Sequence, residues 1–201
     1  MLRDQINGAA RRVPVWVLWL VGLVPGGWAF YLGATGGLGA EPIKALEHEL
    51  GEMALQLLVA GLAITPLRRH LGINLIRFRR ALGLLAFTYV SLHLAVWLLL
   101  DVQDAARVWA DIVKRPYVTV GFTAFVLMLP LALTSNDLSL RRLGPPRWRW
   151  LHRLTYVVVV LGAVHFIWLS KGFQIEPLIY LGVILGLLAL RLRASRRAQR
   201  A

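Results

Sequence analysis

Residues 151–170 read Leu151-His152-Arg153-Leu154-Thr155-Tyr156-Val157-Val158-Val159-Val160-Leu161-Gly162-Ala163-Val164-His165-Phe166-Ile167-Trp168-Leu169-Ser170. After Arg153 the run holds no Asp, Glu, Lys or Arg, and its length matches the about 20 residues that a helix needs to cross a hydrocarbon core about 30 Å thick. Outward from it, five further segments come close to the same requirement: 13–33, 51–67, 81–100, 116–135 and 177–190. Together with 151–170 they predict an all-α polytopic membrane protein, a single domain over residues 1–201 built as a six-transmembrane-helix bundle.

Composition agrees with that reading. Of 201 residues 58% are hydrophobic and 16% charged, against about 25% charged in soluble domains. The net charge of +13 would suit nucleic acid if it were spread over one face of a soluble fold. Here the basic residues fall in short clusters between apolar runs, so no nucleic-acid partner is expected, and membrane lipid is. Cysteine is absent, which excludes iron–sulfur clusters, thiolate zinc sites and covalently attached haem. Neither G-x-G-x-x-G nor G-x-x-x-x-G-K-[ST] occurs, so the chain has no nucleotide-binding domain with which to take hydride from a nicotinamide. Arg11 and Arg12 ahead of the first segment resemble the start of a signal peptide, but its apolar run is longer than a usual one and a retained helix is expected.

Lys and Arg accumulate on the cytoplasmic side of membrane proteins. With the N-terminus inside, 18 of the 23 basic residues lie in inner segments, and the outer ones are Lys44, Arg107, Lys114, Arg115 and Lys171. Eight of the ten acids lie outside. Both termini are therefore expected in the cytoplasm.

An ionisable group at the bilayer centre costs about 2.5 kcal/mol or more on insertion scales. The deep parts of the six segments hold no charged residue, which argues against an ion-coupled transporter. They do hold His93 and His165. His93 lies 13 residues beyond Arg80 and His165 lies 13 beyond His152, which at 1.5 Å per residue puts both about 19–20 Å from the inner edge. Two histidines at one depth on different helices suit the two axial positions of a haem iron. Taken singly, each would more readily pair with a nearby hydroxyl or carbonyl. His152, among Trp148 and Trp150, reads equally as an interfacial residue or as a ligand. His48 is expected in a solvated loop and His70 among headgroups. Trp16, Trp109, Trp148 and Trp150 mark interfaces, and the pairs Gly22/Gly26 and Gly182/Gly186 read as helix-packing faces. The arginine runs read as topology determinants and lipid anchors.

The fifth segment, with His152 and His165 thirteen apart, resembles the ferric reductase and NADPH oxidase transmembrane haem domain. Gly36-Gly37-Leu38-Gly39-Ala40-Glu41-Pro42, Thr65-Pro66-Leu67, Arg79-Arg80-Ala81-Leu82-Gly83-Leu84, Arg115-Pro116-Tyr117-Val118-Thr119-Val120-Gly121 and Pro177-Leu178-Ile179-Tyr180 make the chain similar, over nearly its whole length, to the MsrQ (YedZ) family. That resemblance implies a haem b electron-transfer subunit of the bacterial inner membrane. Its implied electron source is the quinone pool or flavin reduced by a cytosolic reductase, and its implied partner is the periplasmic molybdenum enzyme MsrP, which repairs methionine sulfoxide in proteins. It also implies FMN as a second cofactor. In the wider pattern two haems are held by His pairs fourteen apart on the third helix and thirteen apart on the fifth; here the position fourteen before His93 is Arg79, a poor iron ligand. The expectation is an outer haem on His93 and His165, with His152 a ligand for a possible second haem that lacks its usual partner. A stand-alone ferric or quinone reductase and a non-redox membrane bundle are the rival readings.

Overall fold

The computed structural model describes residues 2–170 and 173–200, with side chains through Arg191. Among these residues every element is helical. The chain runs through α1 (Leu2–Arg12), α2 (Val15–Thr35), α3 (Pro42–Pro66), α4 (Arg79–Val96), α5 (Ala105–Lys114), α6 (Pro116–Leu133), α7 (Asp137–Leu151), α8 (Leu154–Leu169) and α9 (Ile175–Arg200). Single π-helical turns extend α3 through Leu67–Leu71 and α4 through Trp97–Val102.

Among the described residues, Val15–Thr35, Pro42–Leu71, Ile76–Val102 and Pro116–Leu133 are long and apolar enough to cross a membrane, which makes four spans of the expected six, or five if α7 and α8, bent by 42° at their junction, are counted as one. The protein is thus a multi-pass, all-helical membrane protein. The expected sixth segment lies on α9. Lys171, expected in an outer loop, and the side chains of Arg193, Arg196, Arg197 and Arg200 lie outside the described residues.

The second helix begins well before position 51. Pro42 sits at its first turn, where a missing N–H costs nothing, and Leu46, Leu50, Ala54, Leu58 and Leu62 recur at four-residue steps on its buried face. Glu47, His48 and Glu49 lower the local hydropathy without interrupting that stripe. His48 is therefore a helical residue and not part of a loop, though it is exposed. The connections are also less bare than expected. Segment 101–115 contains α5, capped by the Asp104 carboxylate, which accepts the Arg107 N–H at 2.9 Å. Segment 137–151 contains α7, broken at Gly144 (φ 74°, ψ 152°) just before Pro145 and Pro146, a conformation that favours glycine.

Two tightly packed pairs, α3 with α4 and α6 with α8, enclose the main core. Leu55, Leu58, Leu62, Met128, Val158 and Phe166 meet there, joined by Ile184 from α9. Helix α2 packs against α3 and α4 through a second apolar cluster that includes Ala29, Leu46, Leu50 and Tyr89, and Tyr89 also ties it by hydrogen bonds. The buried Tyr89 hydroxyl accepts the Gly26 N–H at 2.9 Å and donates to the Gly22 carbonyl at 2.6 Å. A Cβ on Gly26 would stand 2.8 Å from the Tyr89 ring, and one on Gly22 would stand 2.7 Å from Leu85, so this glycine pair is a packing face as expected. At the other pair, nothing among the described residues lies within 4 Å of where a Cβ would project from Gly182 or Gly186.

The basic segments gather at one end. Asn7 of α1 donates to the Gly72 carbonyl and accepts the Asn74 N–H, Arg77 donates to the carbonyls of Ala10 and Arg11, and Arg80 pairs with Asp137 at 2.6 Å.

Candidate functional site

His93 comes from α4 and His165 from α8, and their ring centroids stand 6.3 Å apart with the planes at 80°. Each ring is held from behind by a backbone carbonyl on a neighbouring helix: His93 Nδ1 lies 2.8 Å from the Glu47 carbonyl of α3, and His165 Nδ1 lies 2.7 Å from the Tyr117 carbonyl of α6. A carbonyl only accepts, so both Nδ1 atoms carry the proton and both Nε2 lone pairs are left for a ligand. This is the hydrogen-bond pattern that orients metal-bound histidine and raises its basicity.

Glycines make the room. A Cβ on Gly121 would fall 2.7 Å from His165 Nδ1, and one on Gly51 would fall 3.3 Å from His93 Nδ1. Only a glycine at 121 lets α6 present the Tyr117 carbonyl so close to the ring.

Both histidines line a cavity of about 570 Å³, within the usual range for cofactor sites. Its walls are mainly apolar, with Val90, Leu94, Val118, Phe122 and Phe125 among them, and the charged residues Glu41, Lys44, Asp101 and Arg115 line it as well. His48 and Phe166 face it as well, their rings 5.3 Å apart, and Glu47 presents a buried carboxylate oxygen, Oε1, that has no hydrogen-bond partner.

The donor set fits a haem. An imidazole nitrogen lies about 1.1 Å from its ring centre and a metal–nitrogen bond is about 2.0–2.1 Å, so two rings on opposite sides of one ion have centres about 6.2–6.4 Å apart. The observed 6.3 Å matches that value, and two neutral imidazoles are a known axial set for haem.

His152 is differently placed. The Thr134 hydroxyl donates to the Pro130 carbonyl at 2.6 Å, so it accepts from His152 Nε2 at 3.1 Å, and the proton sits on the opposite ring nitrogen from that in His93 and His165. Trp148 stacks on the His152 ring with centroids 3.8 Å apart and donates its indole N–H to the Thr134 carbonyl. Trp148, expected as an interface marker, is thus a packing partner of this histidine. Around them opens a second cavity of about 800 Å³, of which His152 is the sole histidine among the described lining residues. His70 is exposed at the same end of the molecule, in keeping with a place among headgroups.

Arg191, read from sequence as a topology determinant, is instead buried at 8% exposure. Its Nε and Nη2 donate to the Leu62 carbonyl at 3.1 and 2.5 Å, and Nη1 donates to the Tyr156 hydroxyl at 3.0 Å. The cause lies four residues on from Leu62: Pro66 has no N–H to give the Leu62 carbonyl, and the guanidinium supplies the donors.

An all-helical membrane fold with a histidine pair facing across two helices defines a class, transmembrane haem-binding subunits of the ferric reductase type, and residues 50–163 match the family model described as ferric reductase like transmembrane component. The chain is 49% identical over 179 residues to the protein-methionine-sulfoxide reductase heme-binding subunit MsrQ of Brucella anthropi, covering 89% of this chain and 81% of that one. It is 48% identical to the MsrQ of Agrobacterium fabrum, covering 89% and 83%, and 47% identical to that of Brucella ovis, covering 89% and 81%. The chain belongs to the MsrQ family, the haem-binding subunits of methionine sulfoxide reductase.

Proposed function

We propose that this chain holds one haem b between His93 and His165 and passes electrons across the bacterial inner membrane to the periplasmic enzyme MsrP, where oxidised methionine is reduced. The observation that carries the reading is the pair itself: two imidazoles at the spacing one iron requires, each with its Nδ1–H donated to a carbonyl.

The Nε2 atoms of His93 and His165 would hold the haem, which would supply single-electron transfer and, ligated by both, would have no place left for oxygen or substrate. The residues do the rest. The carbonyls of Glu47 and Tyr117 fix the ring tautomers, the apolar walls from α3, α4, α6 and α8 exclude water, and Gly51 and Gly121 set how closely the neighbouring backbones approach. The substrate-reducing site then belongs to the partner, and this chain acts as an electron-transfer subunit.

The arrangement in the membrane follows the charge pattern: six spans as one membrane-embedded unit, both termini cytoplasmic, and the histidine pair toward the outer face. Electrons then enter at the basic end, from the quinone pool or from flavin reduced by a cytosolic reductase, with FMN as a further cofactor by family likeness. They leave beside the outer acidic residues. Of these, Glu41 and Asp111 are paired with Lys44 and Arg115, Asp104 caps α5, and Asp101 opens onto the outer cavity. Stopped-flow reoxidation of the pre-reduced protein by MsrP in vesicles of known orientation tests the direction. Reoxidation from the periplasmic side is expected, and reoxidation only from the cytoplasmic side would refute it.

A further inference from the structure

Helix α5 joins the ends of two spans, α4 and α6, that lie against each other. The start of α4 and the finish of α6 belong to the basic end, where Arg80 pairs with Asp137, so the finish of α4 and the start of α6 belong to the opposite end. The connectors are short. Gln103, in the left-handed region at φ 57°, turns the chain after Val102, Asp104 caps the helix, and Arg115 alone separates Lys114 from Pro116. A helix of 10 residues, about 15 Å long, tied so closely at both ends lies along the membrane surface and not out from it.

Its sequence suits that place. At about 100° per residue, Val108, Ile112, Ala105, Trp109 and Val113 follow one another around one arc, and Lys114, Arg107 and Asp111 occupy the opposite one. A helix with cations on one face and Trp on the other lies in a membrane interface, and indole itself favours the headgroup level. The chain uses only part of the apolar arc. Val108 and Ile112 are half-buried where α5 packs on α6, while Trp109 is 69% and Val113 63% exposed. Leu99 and Leu100, on the last turn of the preceding span and beside α5, are exposed too, so the bare part of the arc continues the lipid-facing surface of that span.

Helix α5 is also locked to α6. Asp111 pairs with Arg115 at 3.1 Å, and the Thr119 hydroxyl donates to the Ile112 carbonyl at 2.5 Å. Between these two fastenings lies Tyr117, whose carbonyl accepts from His165 Nδ1 at 2.7 Å. We propose that α5 is a bilayer-surface helix: Trp109 and Val113 seat it among the headgroups and upper acyl chains, Arg107 and Lys114 face phosphate and water, and this seat fixes the first turn of α6 and with it the Tyr117 carbonyl behind His165. The occupant of the exposed arc is the lipid of the leaflet in which the two spans end, because the short connectors hold the arc at that level. The step from Tyr117 to the haem rests on the histidine-pair reading; the seat and its hold on α6 do not.

The chain contains no cysteine, so Arg107→Cys, Trp109→Cys, Val113→Cys and Lys114→Cys, made one at a time in the full-length protein and labelled with bimane, each report on one site. In nanodiscs, lipid brominated on the upper acyl chain should quench the label at 109 and 113, and aqueous iodide should quench it at 107 and 114. Iodide quenching at every site, or lipid quenching at none, would put α5 in water and overturn the proposal. Iodide quenching at 109 and 113 that is removed only when MsrP is added would make α5 a protein-docking helix and overturn it too. In a second arm, Trp109→Glu with Val113→Glu should speed amide exchange at residues 119–122 by about tenfold, the worth of one hydrogen bond, and lower haem affinity by about tenfold; Trp109→Phe with Val113→Leu should keep both at the wild-type level. Exchange at 119–122 unchanged by the glutamates would overturn the hold on α6, and unchanged haem affinity would overturn the step to His165. A wild type that binds no haem would count against the histidine pair, and quenching and exchange, which need no haem, would still decide the seat.

Discussion

Replacing Gly121 by alanine adds one methyl group at the point where α6 meets His165. That Cβ would stand 2.7 Å from His165 Nδ1, 2.8 Å from Cε1 and 3.1 Å from Cγ. Relief to an ordinary contact requires the ring to retreat by roughly 0.7 Å, and overpacking of this kind costs about 1–3 kcal/mol. The retreat stretches the 2.7 Å bond to the Tyr117 carbonyl, and loss of such a supporting bond lowers metal affinity by about 10–100-fold. Helix formation itself is helped, since alanine is favoured over glycine by about 0.8–1 kcal/mol in a helix interior. Gly51→Ala is the internal control: its Cβ would stand 3.3 Å from His93 Nδ1, a clearance that a small shift of the ring restores. Haem affinity and the pyridine-haemochrome ratio should therefore fall at least about tenfold in Gly121→Ala and far less in Gly51→Ala, with both proteins inserted normally. Wild-type haem affinity and spectrum in Gly121→Ala would refute the argument that this glycine sets the position of His165.

Tyr89→Phe removes the hydroxyl that bridges Gly26 and Gly22; it should lower stability by about 1–3 kcal/mol, read as a drop in thermal midpoint in detergent, without altering the haem spectrum. Arg191→Met leaves the Leu62 carbonyl without a donor opposite Pro66, and a loss of about 1–3 kcal/mol is expected; Pro66→Ala on that background should recover part of it by restoring the backbone N–H, and no recovery would contradict the assigned role. The Asp104 carboxylate is held below its ordinary pKa chiefly by the Arg107 N–H. A folded pKa below the unfolded one gives stability that is fully present above the unfolded value, about 3.9, and is lost as pH falls through the folded value, so hydrogen exchange in α5 should accelerate only in acid and Asp104→Asn should flatten that dependence.

The membrane class and the histidine pair were legible in the sequence because polar residues are sparse in apolar helices: two imidazoles at one computed depth stand out, and a fixed rise per residue converts spacing into depth. What supports them was not legible. The acceptors behind the rings are main-chain carbonyls of Glu47 and Tyr117, which carry no side-chain signature, and the clearance at Gly121 is a relation between helices. Helix α3 starts early because a four-residue stripe of Leu46, Leu50 and Ala54 outweighs charges that depress hydropathy, and with it His48 moved from an expected loop to the cavity wall. Arg191 sat at the end of an apolar run, where a basic residue ordinarily anchors to headgroups; that Pro66 leaves a carbonyl for it to satisfy follows only once α3 and α9 are side by side.

Whether His93 and His165 hold one haem between them is tested most directly by the low-temperature electron paramagnetic resonance and optical spectrum of the purified, haem-supplied protein beside its His93→Ala and His165→Ala variants. One low-spin, bis-imidazole haem per chain is expected in the wild type, and a high-spin or lost haem in either variant with membrane insertion intact. A wild-type protein that takes up no haem, or variants that both keep the low-spin signal at full occupancy, would contradict it.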